Sequence, residues 1–196
     1  MKSPVATALS TLLLAAISTT VWHERLSANP LKSLYTTIDP RECKSLASNG
    51  ADFRMLCEGL DGYPVYVSRT GQHTFVSVGS APEKRQAARQ SLKVPNSLFK
   101  PGTQRATIEW RIVRRDGRPI PFATIQRFYT QDRKAHGEVL VITRVTEKED
   151  CHLAYIDALA NRQPIVMARD SADNQARKFD CKRGPRAAGA SGKSPM

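Results

Sequence analysis

Short runs in which apolar and polar residues alternate, separated by turn-forming dipeptides, fill most of this chain after residue 30, and each predicts a strand. The first covers 35–38 and ends at Asp39 and Pro40. Asn49 and Gly50, between this run and an apolar-rich one over 53–57, supply the dipeptide of a tight hairpin turn, and a hairpin centred there brings Cys43 close to Cys57. The β-branched and aromatic runs 65–68 and 73–78 flank Thr70 and Gly71 as a second hairpin, ended by Gly79. Ser80, Pro82 and Glu83 read as a capping box opening a helix that runs to about Leu92, with Lys84, Arg85 and Arg89 on its surface and a thin apolar stripe. Pro95 stops it, and 96–103 reads as a loop.

The clearest turn is Asp116-Gly117, between two extended runs. With Arg115 opposite Arg118, a regular ladder puts Trp110 opposite Ala123 and Ile108 opposite Ile125, on one core face with Ile112. The other face then gathers Glu109, Arg111, Thr124 and Gln126. A further strand over 138–145 is apolar on both parities and belongs inside the sheet. Thr146 and Glu149 form a second capping box, after which Cys151, Ala154, Tyr155, Ala158 and Leu159 fall at helical spacing. Asn161 closes this predicted helix, and Pro164 opens another with a stripe of Ile165, Ala168, Ala172 and Ala176 reaching Phe179. The return of this helical hairpin places Cys181 beside Cys151, consistent with a local Cys43–Cys57 pair among the three possible connectivities. The predicted fold is α+β: a twisted antiparallel sheet with a C-terminal antiparallel helical hairpin packed on one face, and two disulfides.

The chain opens on Lys2 and an apolar run over 5–21, with small residues at Ser27 and Ala28, the pattern of an export signal cut before Asn29. The same run is close to the length that spans a bilayer, so an uncleaved N-terminal anchor with Trp22 at the interface is the alternative. Both place the rest outside the cytoplasm, periplasmic or secreted, where four cysteines serve as cystines. The domain expectation is therefore a leader over 1–28, one domain over 29–181 and an unstructured basic tail over 182–196, rich in Gly, Ala, Ser and Pro.

Charge narrows the partners. The 196 residues carry a net charge of +12. Loss of Lys2, Glu24 and Arg25 with the leader brings this to +11, and setting aside Lys182, Arg183, Arg186 and Lys193 of the tail leaves +7 on the rest. Nucleic acid is not the expected partner: the chain is exported, and its aromatics are not interleaved with its cations as a stacking platform requires. Long-range attraction to anionic envelope material is the functional reading of the surplus, beside an ordinary solvated surface.

Catalytic chemistry finds little support. His73, His136 and His152 are isolated from any second ligand at helical or hairpin spacing, so neither a metal nor another cofactor is expected. No serine sits in a nucleophile elbow, and a spatial triad such as Ser77, His73 and Asp61 is one arbitrary combination among many. Glu109 is the acid well inside a predicted strand, so the Glu109, Arg111, Thr124 and Gln126 face is either a salt-bridged solvated surface or a ligand face. Tyr63 and Tyr66, either side of Pro64, pack at a strand start or stack on a sugar or peptide.

Ile38, Asp39 and Cys43, Gly59, the run Gly62-Tyr63-Pro64-Val65-Tyr66-Val67, the run Thr74-Phe75-Val76-Ser77-Val78-Gly79, and the stretch from Cys151-His152-Leu153 to Ala160-Asn161 together resemble a family of uncharacterised exported, periplasmic proteins of Gram-negative proteobacteria. The resemblance implies a periplasmic location and carries over no catalytic residue. The expected role is a non-catalytic, envelope-associated binding or interaction module, whose partner is an anionic envelope component or an envelope protein. A cell-envelope hydrolase and an inhibitor of a cell-wall lytic enzyme are the alternatives.

Overall fold

Two β-sheets stacked face to face, with one helix on the far side of the larger, make up the computed structural model, which describes residues 31–196. The expected leader over 1–28 lies outside the described residues. Strand β1 (Lys32–Ile38) belongs to the large sheet; β2 (Lys44–Asn49), β3 (Asp52–Leu60), β4 (Tyr63–Thr70) and β5 (His73–Val78) form a four-stranded meander. After the two-residue β6 (Asn96–Ser97) come the long strands β7 (Ala106–Arg115), β8 (Arg118–Asp132), β9 (Ala135–Val145) and β10 (Asp150–Asp157). The helix α1 (Pro164–Gln175) and the short parallel strand β11 (Arg186–Ala187) complete the fold. The large sheet runs β1-β7-β8-β9-β10-β11, with β6 paired to β8.

Strand parity sorts the side chains into two cores. Between the sheets, Met55, Val65, Val67, Val76 and Val78 meet Ile108, Trp110, Ile112, Val139 and Val141. On the other face, Ala123, Ile125, Leu140, Ile142, Leu153 and Ile156 meet Ala168, Ala172 and Ala176 of the helical segment. Strands β8, β9 and β10 are therefore buried on both faces, as a sheet in the middle of three layers must be.

The expected α+β architecture is corrected by this arrangement: the described residues are mostly β, and among them there is no helical hairpin. Residues 151–157, expected as helix, form β10, which is buried on both faces. The helical spacing was a subset of a nearly continuous apolar run, which periodicity cannot tell from a buried strand. A bulge between His152 and Ala154 also lets Leu153 and Ala154 both join the helix-side core, breaking the period of two. The supposed capping box works as a turn: Glu149 N donates to Thr146 Oγ1 at 3.0 Å and Thr146 N to Glu149 O at 2.9 Å, closing β9 onto β10. The two disulfides do form as expected, Cys43–Cys57 and Cys151–Cys181. In the second, a single helix returns the chain to the start of a strand.

Nor is 80–92 a helix. Ala81 turns left-handed at φ 48°, and two single 3-10 turns follow, at Pro82–Lys84 and Ala87–Arg89. Arg85, expected on the surface, is buried, its guanidinium donating to Ser80 O and Glu147 O. With so thin an apolar stripe this segment had little to gain from a continuous helix and instead follows the contours of the sheets.

The tail expectation is corrected as well. Residues 182–196 run back along the large sheet, pair with β10 through β11, and end with the Lys193 and Ser194 amides on the Asp157 carboxylate, both at 2.8 Å. Composition hid this, since the contacts are made by backbone amides and not by an apolar stripe.

Candidate functional site

The polar face read from the sequence does not exist as one surface. A bulge at Phe122 shifts the β7–β8 ladder, so Glu109 faces Ile125 and Trp110 faces Thr124. Glu109 and Arg111 consequently point to the helix side, and Thr124 and Gln126 to the core between the sheets; all four are buried.

On the helix side the charges are consumed internally. Arg169 Nε lies 2.7 Å from Glu109 Oε1, and Arg111 donates to both carboxylate oxygens of Asp173 at 2.8 and 2.6 Å. Ser33 Oγ donates to Glu109 Oε1 at 2.5 Å and lies 2.6 Å from Arg111 Nη1, and Arg169 also reaches the Tyr35 hydroxyl. This network pins α1 to the sheet and leaves no room for a ligand.

On the inner side, Gln126 Nε2 donates to Thr124 Oγ1 at 2.9 Å, and His152 Nδ1 is 2.8 Å from the Tyr155 hydroxyl. Burial drives the His152 pKa down to about 3 and that of Tyr155 up to about 12, so both are neutral. Gln126 Oε1, Thr143 Oγ1 and His152 Nε2 have no hydrogen-bond partner among the described residues. It is a polar strip inside the protein, closed to a substrate.

The triad combination does not assemble either. Ser77 Oγ donates to Pro82 O at 2.6 Å, His73 Nδ1 lies 3.2 Å from Leu92 O, and Asp61 sits in the β3–β4 turn. Among the described residues no three His, Cys, Asp or Glu side chains come together as a metal site.

The outer face of the four-stranded sheet, by contrast, is open. Parity sends Val65 and Val67 inward and Tyr66, Ser68 and Thr70 outward, and the register aligns Ala47, Arg54, Ser68 and Phe75 in one cross-strand row and Leu56, Tyr66 and Ser77 in the next. The 3-10 segment walls one side with Glu83, Ala88 and Arg89, and exposed Leu46 borders the other, enclosing a groove of about 660 Å³. The wall is fixed from below. Asp150, wholly buried, accepts from Val78 N at 2.7 Å and Ala87 N at 3.4 Å, while Gln90 Oε1 accepts from His152 N at 2.8 Å. Burial raises the Asp150 pKa to about 7 against these amides and nearby Arg85.

Arg54 and Arg89 are exposed and have no ion-pair or side-chain hydrogen-bond partner among the described residues. Two free guanidinium groups beside the part-exposed Phe75 ring and the Thr70 hydroxyl, above buried Tyr66 and Ser68, offer charge, a ring face and a hydrogen bond to one elongated ligand. Tyr63, by contrast, packs its ring edge against Trp110, with centroids 6.4 Å apart. Arg54 and Phe75 were missed in the sequence, yet the outward parity of the runs over 53–57 and 73–78 points to them.

Comparison of the chain with protein-family models, with curated proteins and with solved structures finds no match.

Proposed function

We propose that the protein is a non-catalytic binding module of the cell envelope that holds an anionic, carboxylate-bearing wall polymer in the groove on the outer face of β2–β5. The observation that carries this reading is the pair Arg54 and Arg89, left without internal carboxylate partners on a floor of Tyr66 and Phe75. A sugar ring stacks on the part-exposed Phe75 ring, which the buried Tyr66 backs, while each guanidinium grips a carboxylate. The two disulfides support an oxidising compartment, extracellular or periplasmic. The apolar leader and the resemblance to exported proteobacterial proteins support the periplasm in particular, with the leader cleaved or kept as an anchor.

Sedimentation with purified peptidoglycan tests the reading. Arg54→Gln with Arg89→Gln should weaken binding by more than tenfold, and raising salt to physiological strength should weaken the parent too, since charges beyond about 8 Å are then screened. Unchanged binding in the double variant would reject the groove. Turnover of the wall polymer, abolished by one His, Asp or Glu substitution, would replace this reading with a hydrolase.

A further inference from the structure

The tip of the β7–β8 hairpin stands clear of the rest of the sheet. Strand β1 pairs with β7 as far as Ile112, and β9 pairs with β8 from Ala123 onward, so the arms 113–115 and 118–122 pair only with each other. Two prolines, Pro119 and Pro121, alternate along the β8 arm opposite Arg114 and Ile112. They occupy the positions whose amides would face away from β7, so that edge cannot recruit a third strand. The turn itself is tight: Asp116 and Gly117 take φ 50° and 76°, as a two-residue turn of the primed type requires. At about 3.4 Å per residue the tip reaches roughly 10 Å beyond Ile112.

Its side chains are one-signed. Arg114, Arg115 and Arg118 are exposed against a single acid, Asp116, and Val113, Pro119 and Ile120 form half-buried shoulders beneath them. Lys32, paired with Ile112, adds a cation at the ribbon's base, and Arg177 lies over the Phe122 ring at 5.1 Å. The neighbouring β9–β10 turn is balanced, with Glu147 and Glu149 offset by Lys148 and by Arg144, which pairs with Glu149. The described chain starts beside this ribbon, at Leu31.

We propose that this ribbon is a membrane-contact element that seats the protein on anionic lipid headgroups. A projecting two-stranded tip has no walls to enclose a polymer but suits a flat charged surface. Arginine stems can lie along the apolar shoulders while their heads reach phosphate oxygens. The ribbon is separate from the groove and independent of what the groove binds.

Hydrogen exchange of the full exported chain, with phosphatidylglycerol vesicles and with phosphatidylcholine vesicles, decides it. Amides over 112–121 should exchange severalfold more slowly with the anionic vesicles only, and high salt should reverse the effect. Arg114→Gln, Arg115→Gln and Arg118→Gln together should abolish the slowing; at about fivefold per charge, partition should fall roughly a hundredfold where no anchor holds the chain. The triple variant Lys100→Gln, Arg133→Gln, Lys134→Gln removes the same charge away from the ribbon and should keep the slowing. Unchanged ribbon exchange on anionic vesicles, equal slowing on neutral ones, or equal effects of the two triple variants would overturn the proposal. No wall polymer is present, so failure of the groove reading would leave this result untouched.

Discussion

Glu109 on β7 and Arg169 on α1 meet at 2.7 Å across the sheet–helix interface, with Glu109 5% and Arg169 36% exposed at the side chain. A carboxylate in the middle of a sheet is thus held by a helix 60 residues away in sequence. Arg111, itself on Asp173, sits 3.9 Å from the same carboxylate. Removing Glu109 leaves two guanidinium groups near a vacated buried site. Glu109→Ala should therefore destabilise by about 3 to 5 kcal/mol, against well under 1 kcal/mol for a surface carboxylate. Denaturant melts of Glu109→Ala, Arg169→Ala and the double variant measure the coupling. A near-neutral Glu109→Ala would mean that the helix does not cover this face.

Trp110 is wholly buried, donates from Nε1 to Thr36 Oγ1 at 2.8 Å and packs on Tyr63. Trp110→Ala should cost about 3 to 5 kcal/mol and Thr36→Val about 1 kcal/mol. Gly59 provides an independent check on the same packing. A Cβ there would lie 2.2 Å from the Tyr63 carbonyl oxygen and 3.1 Å from the Trp110 ring, so Gly59→Ala should also destabilise clearly in a urea melt. A mild Gly59→Ala would show this contact to be looser than described.

Two buried groups give opposite pH dependences. His152 titrates near 3 when folded and near 6.5 when unfolded, so the unfolded chain takes up the extra proton and stability falls as pH drops from about 6.5 toward 3. Asp150, raised from 3.8 to about 7, keeps its proton in the folded state; its contribution is full below 3.8 and is lost as pH rises toward 7. Between pH 3.8 and 6.5 the two slopes oppose each other. His152→Gln should make stability fall with rising pH in that window, and Asp150→Asn should make it rise, each by up to about 1.4 kcal/mol per unit. Urea melts over a pH series measure both. Variants with the parent's pH slope would contradict these protonation states.

Asp157 closes the far end of the sheet, accepting from Leu159 N and Ala160 N through Oδ1 and from Lys193 N and Ser194 N through Oδ2. Asp157→Ala strips four amides of their acceptor and should destabilise by roughly 3 kcal/mol. Amides over 186–196 should then exchange much faster than those of β9. Retained protection there would show that β11 holds this segment without the carboxylate.

Much of the β-structure was legible because alternation and turn chemistry agreed: Gly71 between β4 and β5, Asp116-Gly117 between β7 and β8, and the Asn49-Gly50 turn with its Cys43–Cys57 bridge, although the polar β2 and not the expected 35–38 run is its first strand, that run being β1 on β7 in the other sheet. What misled was local. One bulged residue, Phe122, moved Thr124 and Gln126 to the opposite face from Glu109 and Arg111, and no propensity announces a bulge. Strand β10 looked helical because burial on both faces erases the period of two, and Thr146 with Glu149 makes a turn as readily as a cap. The groove was half legible, since Tyr66 and Arg89 were noticed, but their meeting depends on Asp150 drawing the 3-10 segment against β5.

Each disulfide closes a covalent loop around a surface element: Cys43–Cys57 encircles the β2–β3 turn, where Asn49, Gly50 and Ala51 are exposed, and Cys151–Cys181 encircles α1 and the loop before it, where Leu159 is 45% exposed. A protease that cuts either loop breaks the chain without releasing a fragment. A chain clipped inside either loop would keep its pieces joined until a reductant arrived, so in an oxidising compartment such a cut would stay silent and separation of the pieces would require cleavage and reduction together.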